Sequence, residues 1–215
     1  MGISIRWLGH ASFQIIAEGK IIYVDLEKNS EIPEKADLIL VTHSHFDHCD
    51  PAKIKVAQQD NTLTIGPEDC VKKISGKTKA LKAGEETIID NIQIRAVEAY
   101  NYKRFRSPGN PYHPKGFGIG YLIKAEGKTI YHAGDTDFIP EMKKLGDIDV
   151  ALLPSGGTYT MDNAEASEAA IAINPKIAVP MHRWDTNAED FRAKVEAHSE
   201  TRVELLKKGQ QLAIH

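Results

Sequence analysis

Residues 42 to 48 read Thr42-His43-Ser44-His45-Phe46-Asp47-His48. They follow Ala36-Asp37-Leu38-Ile39-Leu40-Val41, an apolar run of the kind that forms a buried strand. In an extended chain alternate side chains share a face, so His43, His45 and Asp47 converge on one side, and the turn that follows swings His48 in beside Asp47. Neither packing nor helix capping requires three imidazoles and a carboxylate at this spacing. The stretch therefore predicts a metal-binding cluster at the end of a strand.

Outward from that cluster the chain reads as two similar halves. Residues 17 to 25, AEGKIIYVD, reappear as residues 125 to 135, AEGKTIYHAGD, with two extra residues before the final aspartate. Glu18-Gly19 and Glu126-Gly127 supply the turns of two hairpins, each preceded by an apolar stretch (Ala11 to Ile16, Phe117 to Lys124). A buried-type strand follows each hairpin, Ala36 to Val41 and Ile148 to Leu153, and a polar loop follows each strand. Helices are predicted over Pro51 to Gln59 and Asn163 to Ile173, the second with Asp162 as N-cap and Glu165 three residues on. Strands Thr62 to Pro67 and Lys176 to Pro180 come next. A hairpin around Asp90-Asn91, within Thr87 to Ala99, is expected to extend the first sheet. A helix over Ala188 to His198 and a strand over Gln211 to Ile214 close the chain. No linker rich in Pro, Gly or Ser divides it, so residues 1–215 are expected to form a single domain with internal pseudo-symmetry.

The His43 to His48 string resembles the HxHxDH signature of the metallo-β-lactamase superfamily. Gly134-Asp135-Thr136 resembles that family's GDT segment, and Pro180-Met181-His182 resembles the segment carrying its last histidine. The flanking text YHAGDTDFIPEM (131–142) and ALLPSGGTYTMD (151–162) is similar to the branch that includes L-ascorbate-6-phosphate lactonase and many metal-dependent hydrolases. The resemblance implies an α+β fold, an αββα sandwich of two pseudo-symmetric halves, with the site where the loops of the two sheets meet. It also implies two divalent metal ions, one held by His43 and His45 and the other by Asp47, His48 and His182, with Asp135 between them. Zn²⁺ suits nitrogen and carboxylate ligands, while Mn²⁺ or Fe²⁺ suits a more oxygen-rich set. The implied activity is that of a metal-dependent hydrolase, in which a metal-bound hydroxide attacks a lactone, ester or phosphodiester of a small anionic substrate. Asp47 would orient the attacking oxygen or move a proton, although a metal-bound carboxylate is a poor proton carrier.

One departure from the family pattern matters. A third histidine usually completes the first metal site in an Ala-x-His-Ser context, and here the chain reads Ala99-Tyr100-Asn101. A carboxamide oxygen binds divalent ions more weakly than imidazole, so Asn101 would weaken the first site. His113, twelve residues on in a loop rich in Pro and Gly, is the alternative ligand or a substrate contact, and a solvated loop histidine is the other reading. His10, in Gly9-His10, resembles a catalytic or substrate-contacting histidine of the lactonase-like branch. A histidine hydrogen-bonded within the first hairpin accounts for it equally well. His132 is expected to be structural, and His198 and His215 to lie at the surface. Asp25, the counterpart of Asp135 in the first half, is a candidate for orienting a ligand histidine. The run Tyr102-Lys103-Arg104-Phe105-Arg106, with Lys115 beyond it, either grips a phosphate or carboxylate or forms a solvated face. The Ser155 to Thr160 loop lacks a nucleotide phosphate-loop pattern and reads as a pocket wall.

Composition narrows the classes further. The 215 residues are 41% hydrophobic and 27% charged, enough for a sizeable core and incompatible with disorder. No apolar run approaches the roughly 20 residues of a membrane span and no signal core opens the chain, so a cytoplasmic protein without a membrane partner is expected. Two cysteines, Cys49 and Cys70, form no zinc-knuckle spacing. With 27 basic against 30 acidic residues there is no global pull toward nucleic acid, which disfavours an RNA nuclease and leaves a small-molecule substrate as the partner. The competing reading is a non-catalytic metal-binding or regulatory protein on the same fold, with one site disabled by Asn101.

Overall fold

A computed structural model describes residues 2–214, so His215 lies outside the described residues. The first half runs through β1 (Ile3–Gly9), β2 (Ser12–Ala17), β3 (Lys20–Val24), β4 (Leu38–Leu40), α1 (Pro51–Ala57), β5 (Leu63–Gly66), α2 (Glu68–Val71) and β6 (Lys77–Ala80). There follow β7 (Glu86–Ile89), β8 (Ile92–Ala99), the short hairpin β9 (Phe105–Ser107) and β10 (Asn110–Pro111), then β11 (Gly118–Ala125) and β12 (Lys128–His132). The remainder comprises β13 (Val150–Pro154), α3 (Asn163–Ile173), β14 (Ile177–Met181), α4 (Ala188–His198), β15 (Arg202–Val203) and β16 (Gln211–Ile214). Two seven-stranded sheets result, ordered β16-β1-β2-β3-β4-β5-β6 and β15-β14-β13-β12-β11-β8-β7. The second order read backwards repeats the first, strand type for strand type.

Strand alternation builds the layers. Leu38 and Leu40 of β4, with Val150 and Leu152 of β13, enter the core between the sheets beside Phe13, Ile94 and Tyr121. Their neighbours Ile39 and Val41 face α1 and its Ile54 and Ala57, whereas Ala151 and Leu153 face Ala166, Ala170 and Phe191 of α3 and α4. Covering both faces of each parallel strand group accounts for the unbroken apolar runs. The result is the expected αββα sandwich. Asp162 caps α3 by accepting from Glu165 N at 2.8 Å, as its spacing predicts, and Asp50 caps α1 through Lys53 N at 2.9 Å. α1 is shorter than expected, because Gln58 already adopts an extended backbone.

The repeat is also a physical contact. Glu18 N donates to a carboxylate oxygen of Glu126 at 2.9 Å, and Glu126 N donates to a carboxylate oxygen of Glu18 at 3.2 Å, so the two hairpin turns clasp each other across the pseudo-dyad. The hairpin within Thr87 to Ala99 corrects one expectation: it extends the second sheet, not the first. β8 pairs along β11 from Gly118↔Ala99 to Lys124↔Gln93, and β7 lies at the outer edge. The corresponding edge of the first sheet is taken by β16, paired with β1 from Ile3↔Ile214.

Candidate metal centre

β1, β3, β4, β8, β12, β13 and β14 all run toward the same edge of the sandwich, and the chain leaving each contributes to one cluster. Ligands gather there because a parallel strand order delivers successive loops to one end. Residues just beyond these strands adopt left-handed backbone conformations: His10 (φ 50°), Asp25 (φ 49°) and His182 (φ 45°). Such conformations are costly for non-glycine residues and persist where surrounding contacts enforce them. For His182 one such contact is its N–H donating to His10 O at 3.0 Å. Gly156 allows that turn to pack, since a Cβ there would collide with the carbonyl oxygen of His182 and lie 2.7 Å from Cδ1 of Trp184.

Asp135 stands at the centre. Its Oδ2 lies 3.9 Å from Nε2 of His43, 3.4 Å from that of His48, 3.3 Å from that of His113 and 3.2 Å from that of His182. Its Oδ1 is buried with no hydrogen-bond partner, as is Nε2 of His48. On one side Nδ1 of His45 lies 3.0 Å from Nε2 of His43 and 3.2 Å from Nε2 of His113. On the other, His10, Asp47, His48 and His182 each bring one ligand atom into a group spanning at most 4.8 Å.

The outer nitrogens of three rings are already committed. Nδ1 of His48 donates to Asp25 Oδ2 at 2.7 Å, because a carboxylate can only accept. Thr42 spends its hydroxyl proton on Asp25 Oδ2 at 2.7 Å, so its oxygen accepts from Nδ1 of His43 at 3.0 Å. Nδ1 of His113 donates to Asn101 Oδ1 at 2.7 Å. His43 and His113, neutral, therefore turn a bare Nε2 inward, and His48 does the same once a cation takes the place of its second proton, which is the arrangement a metal ligand needs.

Electrostatics agree with this geometry. Burial holds His43 well below the ordinary imidazole range, lowers His45 as well, and brings His113 down to about 4, so all three keep their lone pairs at neutral pH. Burial would lower His48 too, but Asp135 and Asp25 on either side outweigh it and raise its pKa well above the ordinary value. Burial would raise Asp135, yet His182 and His48 hold it well below the carboxylate range. The centre thus favours positive charge at the point where two carboxylates flank His48. Bare inward nitrogens, an unpartnered carboxylate oxygen and that demand for positive charge together fit divalent cations.

The structure separates the residues left open by the sequence. Asn101 is not placed as a ligand: its Oδ1 serves His113, and its Nδ2 donates to Asp137 Oδ1 at 3.0 Å and to Tyr159 O at 3.1 Å. His113 occupies the third imidazole position because the β9–β10 hairpin folds the chain back over the cluster. His10 donates from Nε2 to Asp47 Oδ2 at 3.1 Å, and its ring lies 3.8 Å from that of His182. His132 is structural, bonded to Ala11 O at 2.8 Å and accepting from Gly134 N at 3.2 Å. Asp25 orients His48, the task foreseen for it in outline.

In the basic run, Arg104 binds Asp137 at 2.6 Å and Glu165 at 2.5 Å, Lys103 binds Glu165 at 3.0 Å, and Lys115 binds Glu141 at 2.9 Å. Carboxylates engage those three cations, and Arg106 is the cation of this stretch that lines the cleft. The cleft above the centre has a volume of about 530 Å³ and is walled by Arg106, Tyr112, Tyr159 and Trp184. No described helix is long and apolar enough to cross a membrane.

Known proteins resemble the chain along most of its length. A family model described as the beta-lactamase superfamily domain matches residues 4–182. A metal-dependent hydrolase from Thermococcus kodakarensis is 36% identical over 232 residues, covering 99% of this chain and 100% of that one. The crystal structure of a candidate metal-dependent hydrolase from Parabacteroides distasonis superposes with a TM-score of 0.86 at 36% identity, covering 95% of this chain and 94% of that one. Igni18, a metallo hydrolase from Ignicoccus hospitalis, superposes with a TM-score of 0.83 at 26% identity, covering 100% and 99%.

Proposed function

The chain belongs to the metal-dependent hydrolases of the β-lactamase superfamily, and on that footing we propose that it cleaves a lactone, ester or phosphodiester bond in a small anionic molecule. The observation that carries this reading is Asp135, whose Oδ2 lies within 3.9 Å of four imidazole nitrogens. His43, His45 and His113 would hold one cation and Asp47, His48 and His182 the other, with Asp135 reaching both. The chemistry such cations would supply is a lowered pKa for a water molecule and polarisation of the scissile oxygen.

The remaining steps fall to protein groups. Burial works to raise Asp47, but the hydrogen bond from His10 and the nearness of His48 bring it down to about 2, so it stays ionised and orients the attacking water by accepting its hydrogen bond. A carboxyl so acidic is a poor proton donor. Burial lowers the pKa of His10, so its neutral ring keeps the Nε2 proton directed at Asp47 and fixes that carboxylate, while the proton released by the attacking water goes to the leaving group. Tyr112, Tyr159 and Trp184 shield the cleft and give apolar carbon a surface to rest on.

The test is hydrolysis of a panel of lactones, carboxylate esters and phosphodiesters by protein loaded with Zn²⁺ or Mn²⁺. His182→Ala is expected to lower kcat/KM by about 100-fold or more while the fold persists, as removal of a ligand does. Full activity in that variant would sink the reading. Tight retention of an ion without turnover of any substrate would favour a non-catalytic metal-binding protein.

A further inference from the structure

Arg106 stands apart from the other cations of its loop. It projects from β9 over the mouth of the cleft, and among the described residues it is paired with no carboxylate. Its guanidinium carbon lies 5.5 Å from the centre of the Tyr112 ring, which packs edge-on against Tyr159 at 4.8 Å, so an aromatic pair supports it from one side. One of its terminal nitrogens lies 3.3 Å from Nε2 of His45.

That contact has a particular meaning at this ring. His45 turns Nδ1, not Nε2, toward His43 and His113. An imidazole that gives its Nδ1 lone pair to a cation carries its one proton on Nε2. The guanidinium N–H and the imidazole N–H then confront each other as two donors with no acceptor between them. Paired donors converging beside a cleft are the arrangement that binds an oxyanion, and the planar guanidinium fork suits carboxylate and phosphate oxygens alike.

We infer that Arg106 and the Nε2–H of His45 form a subsite for an oxyanion of the substrate, a carboxylate or a phosphate, set one imidazole ring away from the metal-binding atoms. The inference rests on the hydrolase reading and narrows it: the scissile group lies on the Asp135 side of His45, and the ionised group on the Arg106 side. The substrate class is therefore an ester, lactone or phosphodiester bearing an ionised oxyanion close to the bond that breaks. Lys103, Arg104 and Lys115 cannot substitute for Arg106, because carboxylates already engage them.

The test measures binding separately from turnover. Inorganic phosphate, succinate and neutral trimethyl phosphate are titrated calorimetrically into the full chain loaded with Zn²⁺ and freed of excess ion, for the wild type, Arg106→Ala and Arg106→Lys. At least one of the two anions is expected to bind the wild type, and trimethyl phosphate is not. Arg106→Ala should weaken anion binding by about 10-fold or more with metal content unchanged, and Arg106→Lys should recover part of the loss, since it keeps the charge without the fork. The tighter anion identifies the oxyanion. The side-chain ¹⁵N resonances of Arg106 and His45 should shift together on anion addition.

Equal affinity in wild type and Arg106→Ala, or no binding of either anion by the wild type, overturns the inference. Failure of the whole hydrolysis panel with the Arg106 dependence intact overturns the hydrolase reading alone. A chain that takes up no metal overturns both.

Discussion

Oδ1 of Asn101 accepts two hydrogen bonds from one residue, His113: from its ring Nδ1 at 2.7 Å and from its backbone N–H at 2.9 Å. The carboxamide thus aims the imidazole of His113 at the cluster around Asp135. Asp137 fixes the amide in turn, accepting from its Nδ2 at 3.0 Å. Loss of such an orienting partner typically costs 10- to 100-fold in metal affinity. Asn101→Ala is therefore expected to weaken by about that factor an ion that His43, His45 and His113 would hold, and to spare one that Asp47, His48 and His182 would hold, as read by competition with a chelator. Unchanged affinity for both ions would show that His113 needs no such support.

Arg104 clamps the same loop to the sandwich. Its side chain is 13% exposed and lies between Asp137, at 0%, and Glu165, at 9%, while Asp137 also accepts from the backbone N–H groups of Tyr102 at 2.8 Å and Lys103 at 2.7 Å. Removing one member of a buried ion cluster leaves charge without a partner. Arg104→Ala should destabilise the protein by about 3 kcal/mol in urea unfolding. It should also speed amide exchange in the His113 loop, and a change under about 0.5 kcal/mol, the level of an ordinary surface substitution, would contradict the clamp.

Acid sensitivity follows from Asp47. In metal-free protein its pKa lies at about 2 rather than the ordinary 3.8, the hydrogen bond from His10 and the nearby His48 outweighing burial. A depressed carboxyl stabilises the fold fully above its unfolded value, and that stabilisation disappears as pH falls through the folded value. Between pH 4 and pH 2 the wild type should thus lose on the order of 2 kcal/mol that Asp47→Asn does not lose. Parallel stability profiles for the two metal-free proteins in that window would refute the linkage.

Gly156 bears on the metal centre through backbone alone. A methyl group there meets the carbonyl oxygen of His182 and the ring of Trp184, neither of which can give way without moving the His182 turn. Gly156→Ala is expected to cost about 1–3 kcal/mol of stability, as overpacking does, and to lower affinity for the ion that His182 would hold. Thermal melting with and without Zn²⁺ checks both effects. A smaller rise in melting temperature with Zn²⁺ than in the wild type is the expected sign.

Much of the architecture was legible because its signals are local. The unbroken apolar runs Leu38 to Val41 and Val150 to Leu153 mark two central strands covered on both faces, and the repeated AEGK text marks two hairpins that clasp through Glu18 and Glu126. The hairpin of Thr87 to Ala99 is legible as a hairpin, but its expected place in the first sheet is wrong. Its alternating pattern fits any apolar edge, and only pairing with β11 places it.

The chain by itself determined which side chains gather between His43 and His48, since six consecutive residues at a strand end have few ways to point. Tertiary structure decided that the ring of His113 and not the amide of Asn101 turns toward them, that Asp25 reaches both Thr42 and the Nδ1 of His48, and that Arg106 alone of its basic run lines the cleft. The physical reason is distance along the chain. Contacts between residues twelve to sixty or more positions apart depend on how a loop folds back, and residue types within that loop do not encode its path.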